Sequence, residues 1–219
     1  MPDANHDLSG VNAVIFDYGE VLCLSPTPQD IEGSAQIMGI TPDLFRSLWG
    51  RNRDLYDRGD LTPEVYWHTL AQDAGKTINA DQLQDLRKRD VEMWSRLNPA
   101  MLAWIEKLSA AGTKTAVLSN MHTDMAHMVR ERFRWLERVN WKTLSAEVHL
   151  IKPDPAIFHH CLQGLGVQAS QALFLDDRSL NVDAARALGI HGIQFTSIVE
   201  LRGKLEAAKF PTLPLALQM

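Results

Sequence analysis

The sequence predicts an α/β fold in which a parallel sheet with crossover helices is interrupted by a helical bundle. Three observations predict it. From residue 97 onward, short β-like runs alternate with helical segments whose caps are legible, the pattern of parallel strands joined by helices. An earlier apolar run, Val11 to Phe16, ends in Asp17 and a turn, Tyr18-Gly19-Glu20-Val21-Leu22. Residues 24–96, between these regions, carry helical stretches and no convincing β run, so they read as an insertion placed over the strand ends. The expected division is a core of residues 1–23 and 97–219 and a helical cap of residues 24–96 that acts as a lid.

Taken in order, the elements have local causes. Helices are expected around Pro28–Met38, Pro42–Arg53, Pro63–Ala74 and Ala80–Arg96. Asn98 can cap a helix with Pro99 at its first position; Leu102, Ile105 and Leu108 form its apolar stripe, and Gly112 suits a left-handed stop. A strand from Lys114 to Leu118 follows, and then a helix through His127 and Val129. Asp154 and Pro155 open the next helix, which turns Ile157, Phe158 and Leu162 inward and stops near Gly164 or Gly166. The strand Ala172 to Leu175 leads to a helix from Ser179 to Leu188, closed by Gly189, and His191 to Phe195 reads as the last strand. The tail from Phe210 to Leu217 is broken by prolines yet apolar, so it packs on its own core or on another subunit.

Composition narrows the partners. At 219 residues and 45% hydrophobic, the chain can bury a sizeable core. Its 22 basic and 27 acidic residues leave a formal charge of −5, which argues against nucleic acid or an anionic membrane surface and favours a small molecule. No apolar run approaches the roughly 18 residues that span a bilayer. The opening Met1 to Asp7 lacks the basic and apolar regions of a signal peptide, so a reducing cytoplasm is expected, with Cys23 and Cys161 as free thiols. The eight histidines do not suggest zinc: His159 and His160 are adjacent on a helix, and His122 and His127 are five apart.

Four polar groups sit at or just past strand-like or turn segments: Asp17, Ser119-Asn120, Lys152, and Asp176-Asp177. Carboxyl ends of strands are where open α/β sheets bind ligands. Close carboxylates repel unless a cation lies between them, and Mg²⁺ is the natural hard ion for oxygen ligands and retained waters. A phosphate uses such a set well, since metal and lysine neutralise its oxygens while a hydroxyl and N–H groups position them, leaving Asp17 to attack phosphorus.

Phe16-Asp17-Tyr18-Gly19-Glu20-Val21-Leu22, Leu118-Ser119-Asn120, Ser145 to Pro155 with Lys152, and Phe174-Leu175-Asp176-Asp177 with Asn181 resemble, in order and spacing, the four motifs of the haloacid dehalogenase-like (HAD) hydrolase superfamily. The resemblance implies a Rossmann-like parallel core with a helical cap of the first type. It also implies an Mg²⁺-dependent phosphatase acting on a small phosphorylated metabolite, a sugar phosphate or similar, through an aspartyl-phosphate. By the same resemblance Asp17 is nucleophile and metal ligand, Ser119 the phosphate-binding hydroxyl and Lys152 the stabiliser of nucleophile and phosphate. Asn120 helps hold the phosphoryl group or substrate, Asp177 with Asp176 beside it binds the metal, and Asn181 orients the loop.

One departure matters. Family phosphatases usually carry a second aspartate two residues after the nucleophile, where it protonates the leaving group; this chain has Gly19. Glycine's carbonyl still suits a metal ligand, but acid–base help must come from elsewhere, with Glu20, His122 and water as candidates. The Asp-x-Gly-x-Val pattern resembles a subgroup that includes sugar-phosphate phosphatases. Two alternatives stand beside this reading: a 2-haloacid dehalogenase, in which the aspartate attacks carbon without a metal, and a non-catalytic phospholigand-binding protein of the same fold. Dehalogenases of this type carry tyrosine at the Gly19 position and a serine-rich fourth motif, so Asp176-Asp177 speak for phosphate. In the cap, Trp49, Tyr56, Trp67 and Trp94 suit either the pocket wall or the bundle core.

Overall fold

The structure is a computed structural model and describes residues 7–214. Five parallel strands form one sheet: β1 (Ala13–Phe16), β2 (Lys114–Ser119), β3 (Trp141–Leu144), β4 (Ala172–Asp176) and β5 (His191–Gln194), in the order β3-β2-β1-β4-β5. Strand β1 lies at the centre, with Phe16 opposite Val117 on one side and Leu175 on the other. Because helices cover both faces, the central strands read as unbroken apolar runs.

Strand periodicity sorts those runs between two cores. Val14, Phe16, Val117, Leu173 and Leu175 face the layer that holds Met101, Trp104 and Leu108 of α6 (Pro99–Ala110). Ala13, Ile15, Ala116, Leu118 and Phe174 face Ile157, Phe158 and Cys161 of the helix Pro155–Leu165. The helices Thr123–Arg132 and Ile198–Ala207 complete the first layer, and Ser179–Ala187 completes the second.

Between β1 and α6, five helices build a third core: α1 (Pro28–Met38), α2 (Pro42–Trp49), α3 (Arg53–Asp57), α4 (Pro63–Asp73) and α5 (Ala80–Glu92). Three of them start alike. Thr27, Thr41 and Thr62 each accept the N–H three residues on, and each is followed by proline at the first helical position. Phe45, Tyr66, Trp67 and Leu86 lie in the centre of this bundle, Phe45 stacked on Trp67.

The structure corrects several boundaries. The helix expected over Pro42–Arg53 stops at Trp49, and α3 begins anew after Asn52, whose φ of 56° breaks the α path in a conformation asparagine tolerates. The helix expected over Ala80–Arg96 ends at Glu92: the Ser95 hydroxyl donates to the Glu92 carbonyl at 2.7 Å, and the Trp94 carbonyl accepts the Tyr18 hydroxyl. Some elements had no expectation, among them a strand and a helix. β3 is a four-residue edge strand whose Lys142 and Thr143 hide its period, and Ile198–Ala207 is a helix of weak amphipathicity.

The tail packs on its own core as far as Pro214: Phe210 meets Trp104 edge-on, and the Trp104 indole donates to the Thr212 carbonyl at 2.8 Å. Leu215 to Leu217, like Met1 to His6 of the opening segment, lie outside the described residues. Cys23 and Cys161 are buried free thiols. Among the described residues no helix is long and apolar enough to cross a membrane.

Candidate active site

The four motif groups converge at the carboxyl edge of the sheet, where the chain order reverses around β1. Asp17 directly follows β1, Ser119 ends β2, Asp176 ends β4, and Lys152 arrives from the loop before the helix Pro155–Leu165. The Lys152 ammonium lies 2.9 Å from Asp17 Oδ1 and 2.6 Å from Asp176 Oδ2. All three side chains are buried. Oxygens of Asp17, Asp176 and Asp177 fall within 4.8 Å of one another.

Each group is held by a neighbour. Tyr18 N–H donates to Asp17 Oδ1 at 2.6 Å, so Lys152 and the backbone share one oxygen, and Oδ2 has no donor among the described residues. Asp176 accepts from the Arg178 N–H at 2.9 Å and from the Asn181 amide at 3.0 and 3.1 Å, which fixes the turn into the next helix. The Asn120 amide both donates to and accepts from the Lys152 backbone, at 3.0 and 2.9 Å. Its carboxamide therefore positions the lysine loop. Ser119 lines the cavity in front of Asp17.

Three carboxylates against one ammonium leave this cluster two charges in excess. Burial pushes Asp17 up to about 7 against the pull of Lys152, and Asp176 adds to the rise. Burial and Asp176 likewise raise Asp177 to about 6. Lys152, although burial disfavours its charge, is held above the usual lysine range by Asp17 and Asp176. A hard divalent cation suits this donor set of clustered carboxylate oxygens, and the buried Asn181 Oδ1, which meets no donor among the described residues, provides an acceptor for a cation's water. Asp17, Asp176 and Asp177 are the residues that fit Mg²⁺.

A cavity of about 390 Å³ opens from these groups to the helical insertion, whose Trp49, Arg53, Asp54 and Trp94 form the opposite wall. Of the four candidate wall aromatics, Trp49 and Trp94 reach the cavity, whereas Tyr56 and Trp67 are buried in the bundle. Gly19 faces Trp94: a Cβ there would meet Trp94 Cζ3 at 3.7 Å, ordinary contact. Glu20 lines the cavity with φ of 54°, a left-handed conformation unusual for glutamate. His122 does not line it.

His122 belongs instead to a second charge cluster that sequence reasoning missed. Arg53 donates to Asp57 at 2.9 Å and to both oxygens of Asp90 at 3.1 and 3.0 Å, and the Trp49 indole donates to Asp90 at 3.2 Å. His122 Nε2 lies 3.1 Å from Asp90 Oδ2, and Tyr56 stacks on its ring at 4.4 Å. This joins the insertion to the loop just past Ser119-Asn120. A second tie runs beside it: the Ser145 hydroxyl accepts the Met121 N–H at 2.8 Å and donates to the Asp57 carbonyl. A third is the Arg87 fork on Asp124 at 2.8 and 2.9 Å. Where α3 ends, Gly59 has a φ of 80° and a Cβ there would lie 2.9 Å from the Ala146 carbonyl, so glycine is required on both counts. The spacing of Arg53 and Asp57 is the one local sign of this cluster.

Comparisons with known proteins agree with this geometry. Residues 11–189 match the haloacid dehalogenase-like hydrolase family. The chain is 31% identical over 210 residues to mouse acyl-CoA dehydrogenase family member 10, covering 88% of this chain but only 19% of that protein. A sesquiterpene phosphatase of Aspergillus oryzae is 24% identical, covering 84% of this chain and 89% of its own. An (S)-2-haloacid dehalogenase of a Pseudomonas species is also 24% identical, with 86% of each chain covered. Among solved structures, a HAD family enzyme of Bacteroides thetaiotaomicron superposes with a TM-score of 0.71 at 20% identity, over 85% of this chain and 94% of that one. The same wild-type enzyme in complex with magnesium and inorganic phosphate gives 0.70 at 19% identity, with the same coverage. With its four motifs assembled at one sheet edge and the match spanning most of its length, the chain belongs to the haloacid dehalogenase-like hydrolases.

Proposed function

We propose that this hydrolase is a Mg²⁺-dependent phosphatase that removes phosphate from a small phosphorylated metabolite through an aspartyl-phosphate on Asp17. One observation carries the reading: Lys152 clamps Asp17 and Asp176 beside Asp177, leaving two excess negative charges at the mouth of a cavity. Asp17 and Asp177, with the Gly19 carbonyl, would hold the ion and Asp176 would support it; bound there, Mg²⁺ offsets charge on the phosphoryl oxygens. The phosphate and magnesium held by the Bacteroides enzyme are consistent with that assignment.

In the first step Asp17 Oδ2 bonds to phosphorus as the bond from phosphorus to the leaving oxygen breaks; Oδ1 stays with Tyr18 N–H and Lys152. Ser119 and Lys152 steady the phosphoryl oxygens. In the second step water bonds to phosphorus, the acyl-phosphate bond breaks, and Asp17 and inorganic phosphate are released. Gly19 offers no proton, so the leaving oxygen takes one from water or departs as a stable anion. Residues 24–96 act as a cap over the reaction, with Trp94 covering Gly19.

Dehalogenase relatives share the fold, but an attack on carbon has no use for two further carboxylates clustered beside the nucleophile. The test is phosphate release from sugar phosphates, nucleotides and acyl phosphates with and without Mg²⁺, alongside halide release from 2-haloacids. Release that requires both Mg²⁺ and Asp17 supports the proposal. Phosphate release no greater than that of Asp17→Asn, or halide release without metal, overturns it.

A further inference from the structure

We infer that the substrate carries a single anionic group, its phosphoryl, and that Glu20 and Asp54 select a leaving group bearing O–H or N–H donors. This rests on the phosphatase reading and concerns the half of the cavity that receives the leaving group. Three cations line the cavity, and two are already spent. Lys152 is shared by Asp17 and Asp176, and Arg53 is held between Asp57 and Asp90. The third, Arg178, stands exposed at the rim, where its side chain has no partner among the described residues.

Glu20 and Asp54 stand opposite in charge and equally exposed. They line the same cavity from the turn after β1 and from α3, and neither side chain has a cation or donor among the described residues. Beyond the phosphoryl centre, one free cation therefore faces two free carboxylates, a wall of net charge −1. A second phosphate or a carboxylate on the substrate would meet like charge there. Hydroxyl or ammonium groups would meet acceptors that otherwise face only water.

The site thus suits phosphorylated polyols, sugars or amines, and rejects bisphosphates and phosphorylated carboxylic acids. Glu20 stands beside the reacting centre, but Asp54 comes from the insertion, so Asp54 is the residue to vary.

The experiment measures kcat/KM with Mg²⁺ for glycerol phosphate, phosphoethanolamine and phosphoglycolate, with para-nitrophenyl phosphate as reference. The expected result is a preference of about tenfold or more for the two donor-bearing substrates over phosphoglycolate, carried mainly by KM. The glycerol and ethanolamine arms separate hydroxyl from ammonium recognition. Asp54→Asn should narrow the preference by about threefold, and Asp54→Lys should abolish it. Equal kcat/KM across the three, or a preference unchanged in Asp54→Lys, overturns the inference while turnover of the aryl phosphate keeps the phosphatase reading intact. No Asp17-dependent turnover of the aryl phosphate would overturn both.

Discussion

Lys152 between Asp17 and Asp176 in the core, and Arg53 between Asp57 and Asp90 in the helical insertion, are one arrangement built twice: a cation gripped by two buried carboxylates. The surroundings differ. In the insertion the cluster is closed. Arginine's rigid fork meets both acids, Trp49 caps Asp90, and His122 supplies a further partner. Burial would raise Asp90, yet Arg53 and His122 overcome it and hold that carboxyl at about 2. In the core a third carboxylate, Asp177, joins, and lysine presents a compact charge that an incoming anion can share. There burial wins over the cation and lifts Asp17 to about 7. A cluster whose acids share a forked arginine joins two parts of the chain, whereas one that adds a third carboxylate to a single lysine is poised to bind a cation and an anion together.

The largest effect should come from removing charge where it is in excess. Asp17→Asn should lower turnover by at least about 10³-fold. Its metal-free melting temperature should match or exceed that of the parent, because one of three crowded carboxylates is gone. A clear loss of metal-free stability would show the core cluster to be a closed structural one as well.

Next in size is the opposite cut. Arg53→Met strands two buried carboxylates and should cost about 3–5 kcal/mol in denaturant unfolding, with no recovery on adding Mg²⁺. Lys152→Met should also destabilise, but with partial recovery by Mg²⁺, since the ion can replace the lost positive charge. Equal responses of the two variants to Mg²⁺ would erase the distinction drawn between the clusters.

Adding a carboxylate comes third. A Cβ at Gly19 has room beside Trp94, so Gly19→Asp restores an acid at the leaving-group side. It should speed release of poorly departing alkyl groups by about 10²-fold while barely changing aryl phosphates, read as the ratio of kcat values. No change in that ratio would mean that Trp94 keeps the new carboxyl away from the leaving oxygen.

Acidity distinguishes the clusters more gently. Asp17 and Asp177 titrate higher folded than unfolded, so the metal-free fold gains stability from them below about pH 4 and loses it as pH rises through about 6 and 7. Asp57 is raised by burial like the core acids, but Asp90 has the opposite sign: its contribution is present above about pH 4 and is lost only as pH falls toward about 2. The rise in melting temperature caused by Mg²⁺ should therefore be larger at pH 8 than at pH 5. A constant rise across that range would separate metal binding from these carboxyls. Smallest of all, Glu20→Gly should relieve the left-handed backbone and stabilise the protein by about 1 kcal/mol in the same unfolding assay.

The core site was legible because each of its groups ends or follows a locally recognisable segment. Asp17 follows an apolar run, Ser119 closes Ala116-Val117-Leu118, and Asp176 closes Leu173-Phe174-Leu175. Parallel strands place their carboxyl ends together, so a local pattern sufficed to bring these residues to one edge. The Asn120 side chain also holds the Lys152 backbone, a contact across 32 positions that no local pattern encodes.

The insertion was harder to read. Its helical stretches were foreseen, but the break at Gly50 to Asn52 that frees α3 was not, and that break aims Arg53 at the cavity. By itself the sequence determined the α/β core, the helical insertion and the carboxylate–lysine set, because these depend on period, capping and chain order. Only the tertiary structure decided that Arg53, Asp57, Asp90 and His122 form one charge cluster, that Trp94 faces Gly19, and that Glu20 and Asp54 share one cavity. Those relations depend on how separately stable segments pack, and packing brings together charges from helices whose sequences show no sign of one another.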